Sequence, residues 1–121
     1  MSLGFIGYCR KSIEYPDAVI YEYSGSNWNL QTNDSKAEMA YDGVIYIDKN
    51  VLGYPKSSET GYINWLSTAI DDNCVYLMYE CKNAFIRQSI PFDYIAYRCL
   101  HKIFKKLYCE GVFPEKECFI Q

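Results

Sequence analysis

The chain has a single histidine, His101, and that scarcity excludes more chemistry than any motif admits. Serine and cysteine nucleophiles are commonly activated by a histidine base. His101 lies two positions from Cys99, and residues two apart on a helix do not face each other. It also sits among Arg98, Lys102 and Lys105, which disfavour its protonated form, so it reads as a surface histidine on a basic face. No Cys-x-x-Cys pair is present, so a zinc site would need ligands gathered from scattered positions. There is no Walker loop and no Gly-x-Gly-x-x-Gly, and Gly4 and Gly7 are too sparse to cradle a phosphate. No stretch approaches the ~20 apolar residues of a membrane span. The N-terminus lacks the basic region and apolar core of a secretory leader, so the expectation is a cytoplasmic protein with no membrane partner. In that compartment the six cysteines stay reduced, and several sit where a small hydrophobe belongs.

What is present is globular. Half of the 121 residues are apolar, 22% are charged and 17% are aromatic, with 13 tyrosines. The length fits one domain spanning residues 1–121 and permits a core without metal or disulfide staples. Tyrosine carries an apolar ring and a polar tip, which suits half-buried strand faces and interfaces alike. Charge is segregated. Residues 1–81 hold 11 acids and 5 bases, whereas residues 82–106 hold 6 bases and one acid, Asp93. Such a dipole bears on association and solubility, not on fold.

Gly4–Lys11, Asp17–Ser24 and Tyr41–Lys49 read as strands, rich in β-branched and aromatic residues. Tyr15-Pro16-Asp17 breaks the first. Ser24-Gly25-Ser26-Asn27 carries a turn signal, with Trp28–Thr32 returning as a hairpin partner. Asn50–Thr60 is a loop. Ile70, Cys74, Leu77, Cys81 and Ala84 then recur at helical spacing, which predicts a helix capped by Thr68, with Asp71 and Asp72 in its first turn and Lys82 and Arg87 near its end. The Val and Tyr content of Cys74–Cys81 also permits a strand after an Asp72-Asn73 turn. Residues 91–110 form a second helix, with Pro91 at its first position, one apolar stripe from Phe92 to Leu107 and Gly111 as a left-handed cap. Glu117–Gln121 adds a final edge strand. The order implies α+β: an antiparallel sheet of four to five strands packed on one face by two or three helices.

Candidate chemistry is thin. Pro16-Asp17 with Glu80-Cys81-Lys82 superficially resembles the paired-carboxylate pattern of metal-dependent nucleases. The second element, however, falls some sixty residues away on an expected helix. Asp42 and Asp48 are six apart and so on one side of a strand, where they could hold a cation with Asp34 or Glu22. Calcium-loop spacing is absent, and strand-end acids usually cap turns. Arg98, His101, Lys102, Lys105 and Lys106 form a basic helix face able to contact phosphates, but the acidic balance of the whole argues against a dedicated nucleic-acid binder.

The expectation that remains is a small non-catalytic domain, without metal or cofactor, that binds another protein or itself. An immunity-type inhibitor or a homo-oligomeric accessory protein has this general character, although no motif identifies a family. Its surface is expected around Tyr23, Trp28, Asp42 and Asp48. The alternatives are a metal-dependent hydrolase or nuclease using scattered carboxylates, or a nucleic-acid accessory protein using the basic helix.

Overall fold

The computed structural model describes residues 5–27, 41–53, 61–81 and 93–120. Alternating residues in Phe5–Glu14 (β1) and Ala18–Asn27 (β2) make an antiparallel pair around the Tyr15-Pro16-Asp17 turn, which the Tyr15 N–H closes on the Ala18 carbonyl at 2.7 Å. Gly43–Asp48 (β3) pairs with β2 and is followed by a 3-10 turn, Lys49–Gly53. Gly61–Asp71 (α1) leads into Val75–Tyr79 (β4), which pairs with β3. Tyr94–Glu110 (α2) leads into Lys116–Ile120 (β5), which pairs with β1. The result is an α+β fold: a five-stranded antiparallel sheet in the order β4-β3-β2-β1-β5 with two helices.

Both helices pack on the same face of that sheet. Val19, Tyr21 and Tyr23 of β2 and Ile45 and Ile47 of β3 point inward and are fully buried. Leu100, Ile103, Phe104 and Leu107 of α2 meet them from above. Each such side chain contributes about 1.5–3 kcal/mol when fully buried. Close approach is bought with missing Cβ atoms. At Gly43 a Cβ would run into the Tyr23 ring, and at Gly25 into the Ile95 side chain. Trp65 joins the remaining pieces. Its indole N–H donates to the Val51 carbonyl at 2.8 Å, and its ring meets Phe104 edge-on at 5.2 Å.

Three expectations need correction. The helical spacing that starts at Ile70 does not become a helix through Leu77; the alternative, a strand after the Asp72-Asn73 turn, is what forms, while Lys82, Ala84 and Arg87 lie outside the described residues. The helix is Gly61–Asp71, and 75–79 is a strand. Asn73 is the reason: it adopts the left-handed conformation (φ 59), so the chain turns out of α1 at that point. The Asn73 and Cys74 N–H groups satisfy the last carbonyls, those of Ile70 and Ala69. Thr68 therefore lies inside a helix and caps nothing, and Asp71 ends it instead of opening one. Second, Ser24–Asn27 is not a turn. It continues β2 opposite Phe5–Tyr8, because Gly7 and Gly25 face each other across the pair. Trp28–Thr32 lies outside the described residues. Third, α2 starts at Tyr94 with Asp93 as its N-cap, where the Asp93 carboxylate accepts the Ile95 N–H at 3.1 Å. Pro91 lies outside the described residues. Gly111 does cap the C-terminus in the left-handed conformation (φ 74), and the last strand is an edge strand. Among the described residues no helix is long and apolar enough to cross a membrane.

Candidate functional site

With both helices on one face, the other face of the sheet displays what its alternate positions carry. These are Tyr8 and Arg10 of β1, Ile20 and Glu22 of β2, Val44, Tyr46 and Asp48 of β3, and Tyr76 of β4. The Tyr46 and Tyr76 rings stack across the β3–β4 pair, with centroids 4.8 Å apart and planes 23° from parallel. Tyr76 is 41% exposed, and Met78 and Tyr79 farther along β4 are more so, at 46% and 67%. Farther along, the Arg10 guanidinium lies 4.1 Å above the Tyr41 ring and donates to Glu22 Oε1 at 3.0 Å. On the same side Ala18, opposite Asp48, and Ser24, opposite Tyr8, are buried, whereas Arg10 and Tyr76 are exposed.

Its electrostatics lean negative near the stack. Partial desolvation raises the Tyr46 pKa, and the nearby Asp48, Tyr76 and Asp17 raise it further. Tyr8 is raised by burial first, then by Cys118 and Tyr41. An aromatic pair with Asp17 and Asp48 together at one end presents an apolar platform with an acidic edge, a composition suited to a basic protein surface.

The residues singled out in the sequence fall in different places. Tyr23 is fully buried, which contradicts its expected place on a surface: β2 alternation turns it inward. Its hydroxyl donates to Asp93 Oδ2 at 2.6 Å and accepts the Cys81 N–H at 3.0 Å. Burial, then the Asp93 hydrogen bond and charge, push its pKa far up, so it stays protonated. Trp28 lies outside the described residues. Asp42 is exposed just before β3. Asp48 turns the chain into the 3-10 segment by accepting the Asn50 N–H at 2.8 Å. The stacked pair Tyr46 and Tyr76 is what sequence reasoning missed. Placing 75–79 on a strand would have found it, since Tyr76 then falls directly opposite Tyr46.

The basic face of α2 lies on the opposite side of the molecule. Arg98 sits 5.5 Å over the Phe119 ring, and His101 lies edge-on between Tyr97 and Tyr62. Arg98 Nε and His101 Nε2 are buried atoms without a hydrogen-bond partner among the described residues. Burial first, and Arg98 second, lower the His101 pKa. Lys105 is exposed, Lys102 is half-buried, and Lys106 pairs with Glu110 at 3.0 Å.

Two other candidates carry less. A groove of about 740 Å³ opens beside the C-terminus of α2, lined in part by Lys11, Glu14, Lys49, Phe113 and Glu115. Several of its charges pair with one another: Lys11 with Glu14 and Glu115, and Lys49 with Glu14. The nuclease-like carboxylates do not converge either. Asp17 lies beside the Asp48 end of β3, since its carbonyl accepts the Lys49 N–H, while Glu80 follows Tyr79, which faces Val44. A strand rises ~3.3 Å per residue, so the length of β3 separates them. Glu80 ends a strand and not the helix expected from spacing. Among the described residues no group of three or more His, Cys, Asp or Glu side chains could hold a metal ion. None of the six cysteines forms a disulfide, and Cys9, Cys81 and Cys99 are buried.

Comparison with known proteins returned no match: no family model, no curated protein and no solved structure matches the chain.

Proposed function

We propose that this is a non-catalytic protein-binding domain that meets a basic partner surface with the outward face of its sheet, as an immunity-type inhibitor or accessory protein would. One observation carries the reading. The stacked Tyr46–Tyr76 pair lies on the sheet face opposite the helices, with Tyr76 41% exposed and Asp17 and Asp48 beside it. A large aromatic patch left outside the core marks interaction surfaces, and buried tyrosine anchors dominate interface energetics. The acids supply steering and register more than raw affinity. The reading calls for no cofactor and places the chain in the cytoplasm, where its free thiols stay reduced.

Affinity capture tests it. Wild type, a Tyr46→Ala/Asp17→Lys double variant and a Lys102→Glu/Lys105→Glu double variant are compared side by side at low and moderate salt. The proposal expects one stoichiometric protein, retained by the helix variant and lost by at least tenfold with the sheet variant. Capture that follows the helix variant instead would favour the second reading. The observation behind that reading is the Arg98 guanidinium, whose Nε has no hydrogen-bond partner among the described residues, on a cationic stripe. Recovery of nucleic acid at low salt would then identify a phosphate-binding role.

A further inference from the structure

The two edges of the sheet are unlike. On β5, Lys116 and Glu117 put charges into the edge strand, a common guard against pairing with another chain. On β4, Val75-Tyr76-Leu77-Met78-Tyr79 carries no charge, no proline and no glycine. The direction of its main-chain groups follows from one bond. The Asp48 N–H donates to the Cys74 carbonyl at 2.7 Å, in the same register that sets Ile47 opposite Val75 and Tyr46 opposite Tyr76. Hydrogen-bonded pairs alternate in an antiparallel ladder, so Tyr76 bonds to β3 and the main-chain groups of Val75 and Leu77 point to the open side. No described element pairs with them there.

We infer that β4 pairs with β4 of a second copy of this chain, antiparallel and centred on Tyr76. That register sets Val75 opposite Leu77 of the second copy, and the reverse, so the open N–H and C=O groups of both residues are satisfied in both chains. It uses only the regular part of the strand. The irregularity beside Val44 and Ile45 in the β3–β4 pairing falls beyond Leu77 and stays outside the new ladder. Tyr76 meets its own equivalent on the two-fold axis as a non-hydrogen-bonded pair, where Cα atoms approach to about 4.5 Å. The Tyr46–Tyr76 stack then continues across the axis as a four-ring ladder, and aromatic cross-strand pairs are among the stabilising ones. An uncharged strand that is complementary to itself under a two-fold fits a second copy better than an unrelated strand. The contact is isologous and closes at two chains. It joins two five-stranded sheets into one of ten and doubles the outward aromatic face. The pairing needs no other partner, so it stands or falls separately from the proposed function.

Sedimentation or light scattering of the purified full chain tests it, from low micromolar to high micromolar concentration. Wild type is expected to pass to twice the chain mass across that range. Tyr76→Lys sets two lysines face to face on the axis and is expected to remain monomeric, with unchanged circular dichroism and cooperative unfolding. Tyr76→Glu behaves likewise alone. Mixing the two variants puts opposite charges across the axis and is expected to restore a one-to-one dimer. A monomeric wild type at every concentration, a Tyr76→Lys variant that still dimerises, or a mixture that stays monomeric would each overturn the inference.

Discussion

A single hydroxyl ties three elements together. Tyr23 of β2 donates to Asp93 at the start of α2 and accepts the N–H of Cys81 after β4, all within the core. Removing that hydroxyl leaves a buried carboxylate one donor short, and such groups carry their full desolvation penalty. Tyr23→Phe is therefore expected to lower stability by roughly 2–3 kcal/mol, read as a shift in urea midpoint at constant slope. His101 makes the opposite case. Its Nε2 is buried without a partner among the described residues, and burial depresses the pKa below its usual 6.5. As pH falls through 6.5 the unfolded chain gains a proton that the folded chain refuses, so stability falls with pH in that window. His101→Phe keeps a ring between Tyr62 and Tyr97 and removes both costs. It is expected to stabilise by roughly 1 kcal/mol at about pH 7.5 and by more at about pH 5.5. A gain that shrinks on acidification would reject this account of His101. Neither the inward turn of Tyr23 nor the capping role of Asp93 was legible from residue type. Both depend on which strand phase faces the helices, and that is set by neighbours distant in sequence.

At the scale of elements, the sheet was legible and the first helix was not. Strands β1, β2 and β3 declare themselves by alternation, and α2 by one apolar stripe ended by Gly111. Between them, Tyr62, Trp65, Leu66, Ala69 and Ile70 of α1 run at helical spacing straight into Cys74 and Leu77, so the periodicity continues past the true end of the helix. The interruption is conformational, a left-handed Asn73, and asparagine tolerates that region without demanding it. Asn73→Val is expected to destabilise by about 1–2 kcal/mol, and Asn73→Gly to leave stability unchanged or slightly higher, both by thermal unfolding. Equal effects from the two substitutions would show that the backbone of residue 73 is not what ends α1. Once β4 is a strand, the Tyr46–Tyr76 stack follows from register alone. The candidate face thus hung on the choice between helix and strand for 74–81, which periodicity alone left open, while its acid Asp48 was visible from the start.

For the molecule as a whole, the acids beside the aromatic stack and the bases of α2 lie on opposite sides of the sheet. Asp17 and Asp48 lie beside the outward sheet face, and Arg98, Lys102 and Lys105 lie on the helix side. Attraction between exposed charges is screened over ~8 Å at physiological salt. Binding of a basic partner to the sheet face is therefore expected to weaken as salt rises, mainly through slower association. Asp17→Lys should flatten that dependence, while Lys105→Glu should leave it or steepen it. The most direct measurement places a photo-crosslinking benzoylphenylalanine at Tyr46 in one chain and at Lys105 in another, with irradiation in cells and mass spectrometry of the adducts. The account predicts that position 46 captures one protein partner and position 105 captures none. Adducts at position 105 with none at 46 would contradict it and assign the contact surface to the helix side.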